Sequence, residues 1–179
     1  MHMLSWLSSK GTAAIVEFPG VLYRGGAEQK IRKYMIDNNF VDTVIQLPSD
    51  LFFGTPIATC ILVLKKNKTD NNILFVDASE EFVRNTNKNK LSDTNISNII
   101  NLLKNRVSVE NKAYLATYDE IKENDYNISV NSYLKTNTIE VKIDIEEVNR
   151  KLAEIVPRQQ QIRKELEEII RKLESDYHE

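Results

Sequence analysis

The sequence predicts an α/β protein built on a mixed sheet, followed by a helical extension. Three observations carry that expectation. Between Thr12 and Ser79 the order is strand, helix, strand, strand, strand. The segment from Leu47 to Cys60 holds no crossover helix, so at least one neighbouring strand pair must be antiparallel. From Ile145 onward the apolar positions alternate by three and four, the signature of a heptad seam. The chain therefore divides into a sheet region, residues 1–139, and a coiled-coil-like extension, residues 140–179.

Met1 to Ser9 reads as the last turns of a helix, ended by Gly11, and "TAAIV" (Thr12 to Val16) as a short buried strand. In "AEQKIRKYMIDNN", Ala27, Ile31, Tyr34 and Met35 fall on one helical face, with Lys30, Arg32 and Lys33 among the polar positions. "FVDTVIQL" carries a period of two through Val41, Thr43, Ile45 and Leu47, and Val44 makes its other face apolar too, so this strand is covered on both sides. "CILVL" is an unbroken branched apolar run, as in a central strand, and "NNILFVDAS" gives the next strand.

Glu80 to Leu91 reads as a surface loop by composition. Ser92 or Asp93 then caps a helix whose Ile96, Ile99, Ile100 and Leu103 form one stripe ending near Arg106. Tyr114 to Tyr118 suits a strand, and "DEIKENDYNISVNSYL" mixes polar turns with short apolar anchors. The seam of the extension is Val148, Leu152, Ile155, Gln159, Ile162, Leu166, Ile169 and Leu173. Pro157 interrupts it, so either two helices meet there or one kinked helix passes through.

Composition narrows the chemistry. The 179 residues are 41% hydrophobic, enough for a real core. With 24 basic and 26 acidic residues, the net charge of -2 gives no broad electrostatic footprint for nucleic acid, although a role inside a larger complex stays open. The single Cys60 makes no internal disulfide, and the two histidines, His2 and His178, sit at the termini, so no metal ligand set is expected. The longest apolar run, Cys60 to Leu64, is too short for a bilayer, and no signal-like segment opens the chain; a cytoplasmic, membrane-free location is expected.

Five places are candidates for chemistry or binding. "GVLYRGG" (Gly20 to Gly26) follows a strand and precedes a helix, where open α/β sheets bind ligands; Tyr23, Arg24, Gly25 and Gly26 either face a ligand, with Arg24 on a phosphate, or make a tight structural turn. It is neither a dinucleotide fingerprint nor a P-loop. In "LFFGT", Phe52 and Phe53 either pack in the core, as aromatics entering a sheet usually do, or stack on exposed bases, with Gly54 making the turn and Thr55 offering a hydroxyl to a phosphate. Asp77 reads as a helix cap or loop hydrogen bond and Cys60 as buried packing; no catalytic residue and no cofactor ligand is assigned. The seam residues Leu152, Ile155, Ile162, Leu166, Ile169 and Leu173 form a partner interface, filled by self-association, by intramolecular packing or by another protein's helix.

The stretches "AAIVEFPGVLYRGGAEQKIRKYMIDNNFVDTVIQLPSDLFFGTPIATCILVLKK", "NNILFVDASEEF" and "DEIKENDYNISVNSYL" resemble, in order, the C-terminal part of the adenine-N6 DNA methyltransferase (modification) subunit of type I restriction-modification systems. The resemblance runs from about Leu4 to Thr136. It departs from the family pattern at Phe18-Pro19-Gly20-Val21, where Pro-x-Gly-Val is common, and at Ala58, where proline is common.

The resemblance implies the distal part of a class I, S-adenosylmethionine-dependent methyltransferase sheet of Rossmann-like type. Thr12 to Val16 would be its fifth strand, Val41 to Leu47 its sixth and Cys60 to Leu64 its seventh, ending in an antiparallel hairpin. It also implies that Tyr23, Arg24, Gly25, Gly26, Phe53, Gly54 and Thr55 support the target-base side of the cleft. The family's glycine-rich cofactor motif and its Asn/Asp-Pro-Pro-Phe/Tyr motif are both absent from these residues. The chain by itself is therefore expected to bind no cofactor and to transfer no methyl group, S-adenosylmethionine being the cofactor of the intact enzyme. The implied partners are a specificity subunit, a second methylation subunit, a restriction subunit and DNA. A half sheet with an open edge is also expected to form a homodimer or to pack its tail across the gap. The rival reading is a non-enzymatic interaction module that docks a partner helix.

Overall fold

The computed structural model describes residues 1–134 and 145–176. The chain forms two compact units, residues 1–137 and 138–179. The first unit opens with α1 (His2–Trp6), β1 (Thr12–Glu17), a 3-10 turn (Pro19–Leu22), α2 (Ala27–Asp37), β2 (Val41–Gln46), β3 (Cys60–Lys65) and β4 (Ile73–Asp77). It continues through β5 (Val83–Asn85), β6 (Lys88–Lys90), α3 (Asp93–Asn105), β7 (Ala113–Ala116), α4 (Tyr118–Glu123) and a second 3-10 turn (Val130–Ser132). The second unit contains one helix, α5 (Ile145–Asp176).

The main sheet has the order β1-β3-β2-β4-β7. Strands β1, β2 and β4 run the same way, while β3 is antiparallel to both of its neighbours and β7 is antiparallel to β4. This is the mixed sheet expected from the missing crossover helix between β2 and β3. The register sets Glu17 and Gln46 opposite Cys60, and Gln46 beside Asp77. One rim of the sheet is thus formed by the C-terminal ends of β1, β2 and β4 together with the start of β3.

Both faces of the central strands are buried. On one face Val44, Leu62, Leu64, Ile73 and Phe75 pack under α2, α4 and the 126–134 segment, where the Tyr133 ring stacks on Phe75 at 4.0 Å. On the other, Ile45, Leu74 and Val76 meet Ile99 and Leu102 of α3. Burying side chains of this size contributes roughly 1.5–3 kcal/mol each relative to exposure. A bulge in β2 explains an odd spacing: Val41 pairs with Leu64 and Thr43 with Val63, leaving Asp42 as the extra residue. Val41 and Val44 consequently share one core although three positions separate them.

Several sequence expectations change. The 80–91 segment is no plain loop, because β5 and β6 form an antiparallel hairpin with Arg84 opposite Asn89 and a turn at Thr86 in the left-handed region (φ 53). The strand placed at Tyr114 to Tyr118 spans Ala113–Ala116; Thr117 instead caps α4 in a capping box with Glu120. On α2, Ala27, Ile31 and Tyr34 are exposed, and the buried stripe is Arg32, Met35 and Ile36. Periodicity missed Arg32 because a cation satisfied by backbone carbonyls can occupy a core position. On α3 only Ile99 of the expected stripe is fully buried, since the helix rests on β4 through Ile99, Leu102 and Leu103 and leaves Ile96 and Ile100 at the margin. Strand β1, expected to be buried, is a half-buried edge paired only with β3 among the described residues.

Pro157 lies inside α5, so a single helix runs through it rather than two helices meeting there. The proline lacks the N–H that would reach the carbonyl four residues back, and the helix continues on either side. No helix among the described residues is long and apolar enough to cross a membrane.

Candidate nucleic-acid interface

The rim at the C-terminal ends of β1, β2 and β4 gathers the loops singled out from sequence. After β1, the 3-10 turn closes through Arg24 N–H donating to the Gly20 carbonyl (3.0 Å), and Gly26 at φ 71 begins α2. A side chain there would be strained, so glycine is required at that helix entry. Tyr23 and Arg24 stand exposed; the Arg24 guanidinium approaches Glu28 at 3.9 Å, an exposed pair of little energetic weight. Arg32, 3% exposed, donates to the carbonyls of Val21 (3.0 Å), Arg24 (2.7 Å) and Tyr126 (3.0 Å). One buried cation thereby pins the glycine loop to the segment after α4. The helical pattern counts Arg32 among the polar positions and gives no sign of this role.

Between β2 and β3 the chain leaves the core. Phe53 is 95% exposed and Phe52 39% exposed, which overturns the packing reading for both aromatics. The physical reason is the turn itself: Asp50 (φ 54) and Gly54 (φ 83) both sit in the left-handed region and throw the intervening residues outward. Asp50 N–H donates to the Pro56 carbonyl (3.2 Å), closing the loop, and Thr55 Oγ1 accepts from the Ile57 amide (3.1 Å). Thr55 therefore has a structural partner already, although its own hydroxyl proton remains available to donate.

The loop is held from one side by the hairpin. Asn89, buried, donates from its amide nitrogen to the Ser49 carbonyl (2.8 Å) and from its backbone N–H to the Asp50 carbonyl (3.0 Å), while its Oδ1 accepts from Arg84 (3.1 Å). Lys88 Nζ donates to the Phe52 carbonyl (3.2 Å), and Asp50 lies between Arg84 (3.6 Å) and Lys88 (3.8 Å). None of these hairpin residues was singled out from sequence; "NTNK" lacks the Asn-Gly signal that marks a two-residue hairpin turn.

Asp77 and Cys60 behave as expected. Asp77 Oδ1 accepts from the Ser79 amide (2.9 Å), a loop hydrogen bond. Cys60 is fully buried, and burial, reinforced by the Glu17 carboxylate, pushes its thiol up to about 11 despite the bond to the Glu17 carbonyl. A thiol so held is no nucleophile at neutral pH. Among the described residues no group of His, Cys, Asp and Glu is arranged to hold a metal ion.

The opposite rim carries a closed ion network. Asp42, aimed by the bulge, accepts from Lys65 (3.0 Å), Arg106 (3.1 Å) and Thr43 (2.9 Å). Burial alone would raise its pKa, but Lys65, Arg106 and Thr43 together outweigh burial and hold the carboxyl below its ordinary value. Lys68 donates to the carbonyls of Val41 (2.6 Å) and Asn72 (2.8 Å), and burial lowers its pKa to about 8. These groups are satisfied internally.

In α5 the seam residues Leu152, Ile155, Ile162, Leu166 and Ile169 are each more than half exposed, and the described polar residues flanking them are exposed too. The Leu173 and Val148 side chains lie outside the described residues.

A mixed sheet with an antiparallel strand inserted between parallel ones, helices on both faces and exposed loops along one strand-end rim is a mixed α/β fold of the Rossmann-like, methyltransferase type. Residues 1–142 match the N-6 DNA Methylase family, and the chain belongs to that family. The MpnII methylase subunit of a type I restriction enzyme of Mycoplasma pneumoniae is 44% identical over 99% of this chain and 33% of its own length. The MjaVIII methylase subunit of Methanocaldococcus jannaschii is 35% identical over 85% of this chain and 27% of its own length. The crystal structure of a type I restriction-modification methyltransferase subunit from Streptococcus thermophilus superposes with a TM-score of 0.73 at 42% identity, covering 74% of this chain and 29% of that one. The chain thus spans about a third of the length of the curated relatives it matches.

Proposed function

We propose that this chain is the C-terminal part of a type I DNA adenine-N6 methylase subunit and supplies the target-base side of its catalytic cleft. The observation that carries the reading is the outward-thrown Phe53, held on the strand-end rim of a sheet whose family methylates DNA. An extruded adenine needs an aromatic platform, and Phe53 offers a free ring face where such a base would arrive. Gly54 and Thr55 shape its loop; Tyr23, Arg24, Gly25 and Gly26 form the neighbouring wall after β1. These residues support the pocket and make no bond to the methyl group.

The methyl donor, S-adenosylmethionine, is held outside residues 1–179, together with the Pro-Pro motif that would accept the adenine amine. Residues 1–179 contain neither the family's glycine-rich cofactor motif nor its Pro-Pro motif, which supports that reading. No methyl transfer by this chain alone is expected. Residues 1–139 act as the partial catalytic domain and residues 140–179 as the interaction segment, whose seam docks helices of a specificity subunit. A second methylation subunit, a restriction subunit and DNA complete the complex.

A second reading, an interaction module without catalytic contribution, is favoured by one observation only, the exposed apolar seam of α5. Supplying the preceding two-thirds of a methylase subunit as a separate polypeptide and following transfer of labelled methyl groups to DNA separates the two. Restored transfer that Phe53→Ala reduces supports the proposal. Stable association without transfer, abolished by Leu166→Asp with Ile169→Asp, supports the interaction module instead.

A further inference from the structure

We propose that the hairpin Val83–Lys90 is a phosphate clamp for the DNA strand whose base stacks on Phe53. The inference rests on the reading of the Phe53 rim as the target-base side and adds a site to it. Arg84 and Lys90 are exposed and Lys88 is half-buried, so the hairpin offers three cations. The sole carboxylate facing them from the Ser49–Thr55 loop is Asp50, at 3.6 and 3.8 Å from Arg84 and Lys88, and partly solvated pairs this long can exchange for a phosphate oxygen. Of the two carboxylates just before the hairpin, Glu81 is turned onto Asn95 (3.0 Å), Asn98 (3.0 Å) and Lys112 (3.4 Å). The other, Glu80, is exposed, so three cations stand against Asp50 and Glu80 and the hairpin keeps a net positive charge beside an exposed aromatic.

What separates this from an ordinary solvated lysine cluster is the mechanical tie to Phe53. Asn89 grips the Ser49 and Asp50 carbonyls and Lys88 the Phe52 carbonyl, so the same hairpin that presents the cations fixes the residue immediately before the ring. A strand bound through its phosphates would be placed in register with the aromatic platform, which is how backbone contacts serve base recognition. An acidic protein segment would meet the same cations but would make no use of the adjacent ring.

The test is fluorescence anisotropy of the full chain on a labelled 20-base-pair duplex carrying one 2-aminopurine opposite an abasic site, with KCl varied. Lys90 makes no side-chain hydrogen bond or ion pair among the described residues, so Lys90→Gln leaves the loop intact. It is expected to lower the slope of log affinity against log salt by about 0.9, equivalent to roughly eightfold weaker binding at 0.1 M salt. The combined Arg84→Gln, Lys88→Gln, Lys90→Gln chain is expected to lower it by about 2–3. Phe53→Ala should keep the slope and abolish the 2-aminopurine quenching. Unchanged slopes in both hairpin variants overturn the clamp while leaving the rim reading standing. Quenching that is absent, or indifferent to Phe53→Ala, overturns the rim reading, and the slopes still judge the clamp. Failure to bind the duplex at 50 mM salt, or displacement by poly-glutamate and not by competitor duplex, overturns the clamp outright.

Discussion

Both rims of the main sheet carry charged residues and use them in opposite ways. On the rim where β2 begins, Asp42 sits buried between Lys65, Arg106 and Thr43, and Lys68 bonds to two backbone carbonyls. On the rim where β2 ends, Arg24, Arg84 and Lys90 are exposed, the ion pairs exceed 3.5 Å, and Phe53 projects into solvent. Charge density alone therefore marks neither rim as functional. What distinguishes them is satisfaction: one rim has given its polar groups internal partners, and the other keeps donors and a ring face for something else.

That contrast predicts a separation of stability from binding. The largest effect is expected at Asp42. Asp42→Asn leaves the partly exposed Lys65 and Arg106 facing a neutral group and should destabilise the chain by about 2 kcal/mol in urea unfolding. A loss under 1 kcal/mol would mean that the network is as loose as the opposite rim. Asn89→Ala comes next, at roughly 1–2 kcal/mol, because it strands the Ser49 carbonyl. Unlike Asp42→Asn, it should also weaken the quenching of 2-aminopurine by Phe53, since the loop loses its anchor.

Lys68 gives a smaller effect with a defined sign. Burial lowers its pKa to about 8 in the folded chain from the ordinary 10.5, so between those values the unfolded state binds the extra proton. Stability should rise with pH from about 8 to 9.5. The neutral amine still carries two N–H groups, enough for both carbonyls. Cys60 opposes this, because its thiol titrates later folded than unfolded, so the comparison is with Lys68→Met, in which the rise should vanish. A parallel pH dependence in both proteins would remove Lys68 from the account. The smallest stability change belongs to Phe53→Ala, within about 0.5 kcal/mol because the ring is exposed. Its expected cost, about 1–3 kcal/mol, appears only in binding a single-stranded or extruded base.

The strand assignments were legible because apolar runs such as "CILVL" and "ILFVD" have few other homes in a chain of this composition. The antiparallel pairing of β2 with β3 followed from a connection without a crossover helix. The hairpin Val83–Lys90 was not legible: its residues are polar throughout, and its turn uses a left-handed threonine in place of Asn-Gly. Arg32 misled the helical pattern for a related reason, as its burial depends on carbonyls contributed by residues 8, 11 and 94 positions away. For Phe52 and Phe53 the sequence left core packing and an exposed ring both open, because hydrophobicity ranks side chains and says nothing of the turn that aims them.

Sequence by itself determined the apolar strands, the main helices and the family, since periodicity, branched runs and motif order are local properties that every copy of the chain carries. Tertiary structure alone decided which polar and aromatic groups are spent and which are left over. The bulge at Asp42 and the buried grip of Asn89 each set a side chain against groups distant in sequence, while the left-handed turns at Asp50 and Gly54 turn Phe53 out to solvent. A side chain becomes a binding element only when its surroundings leave it unsatisfied, and those surroundings come from distant parts of the chain.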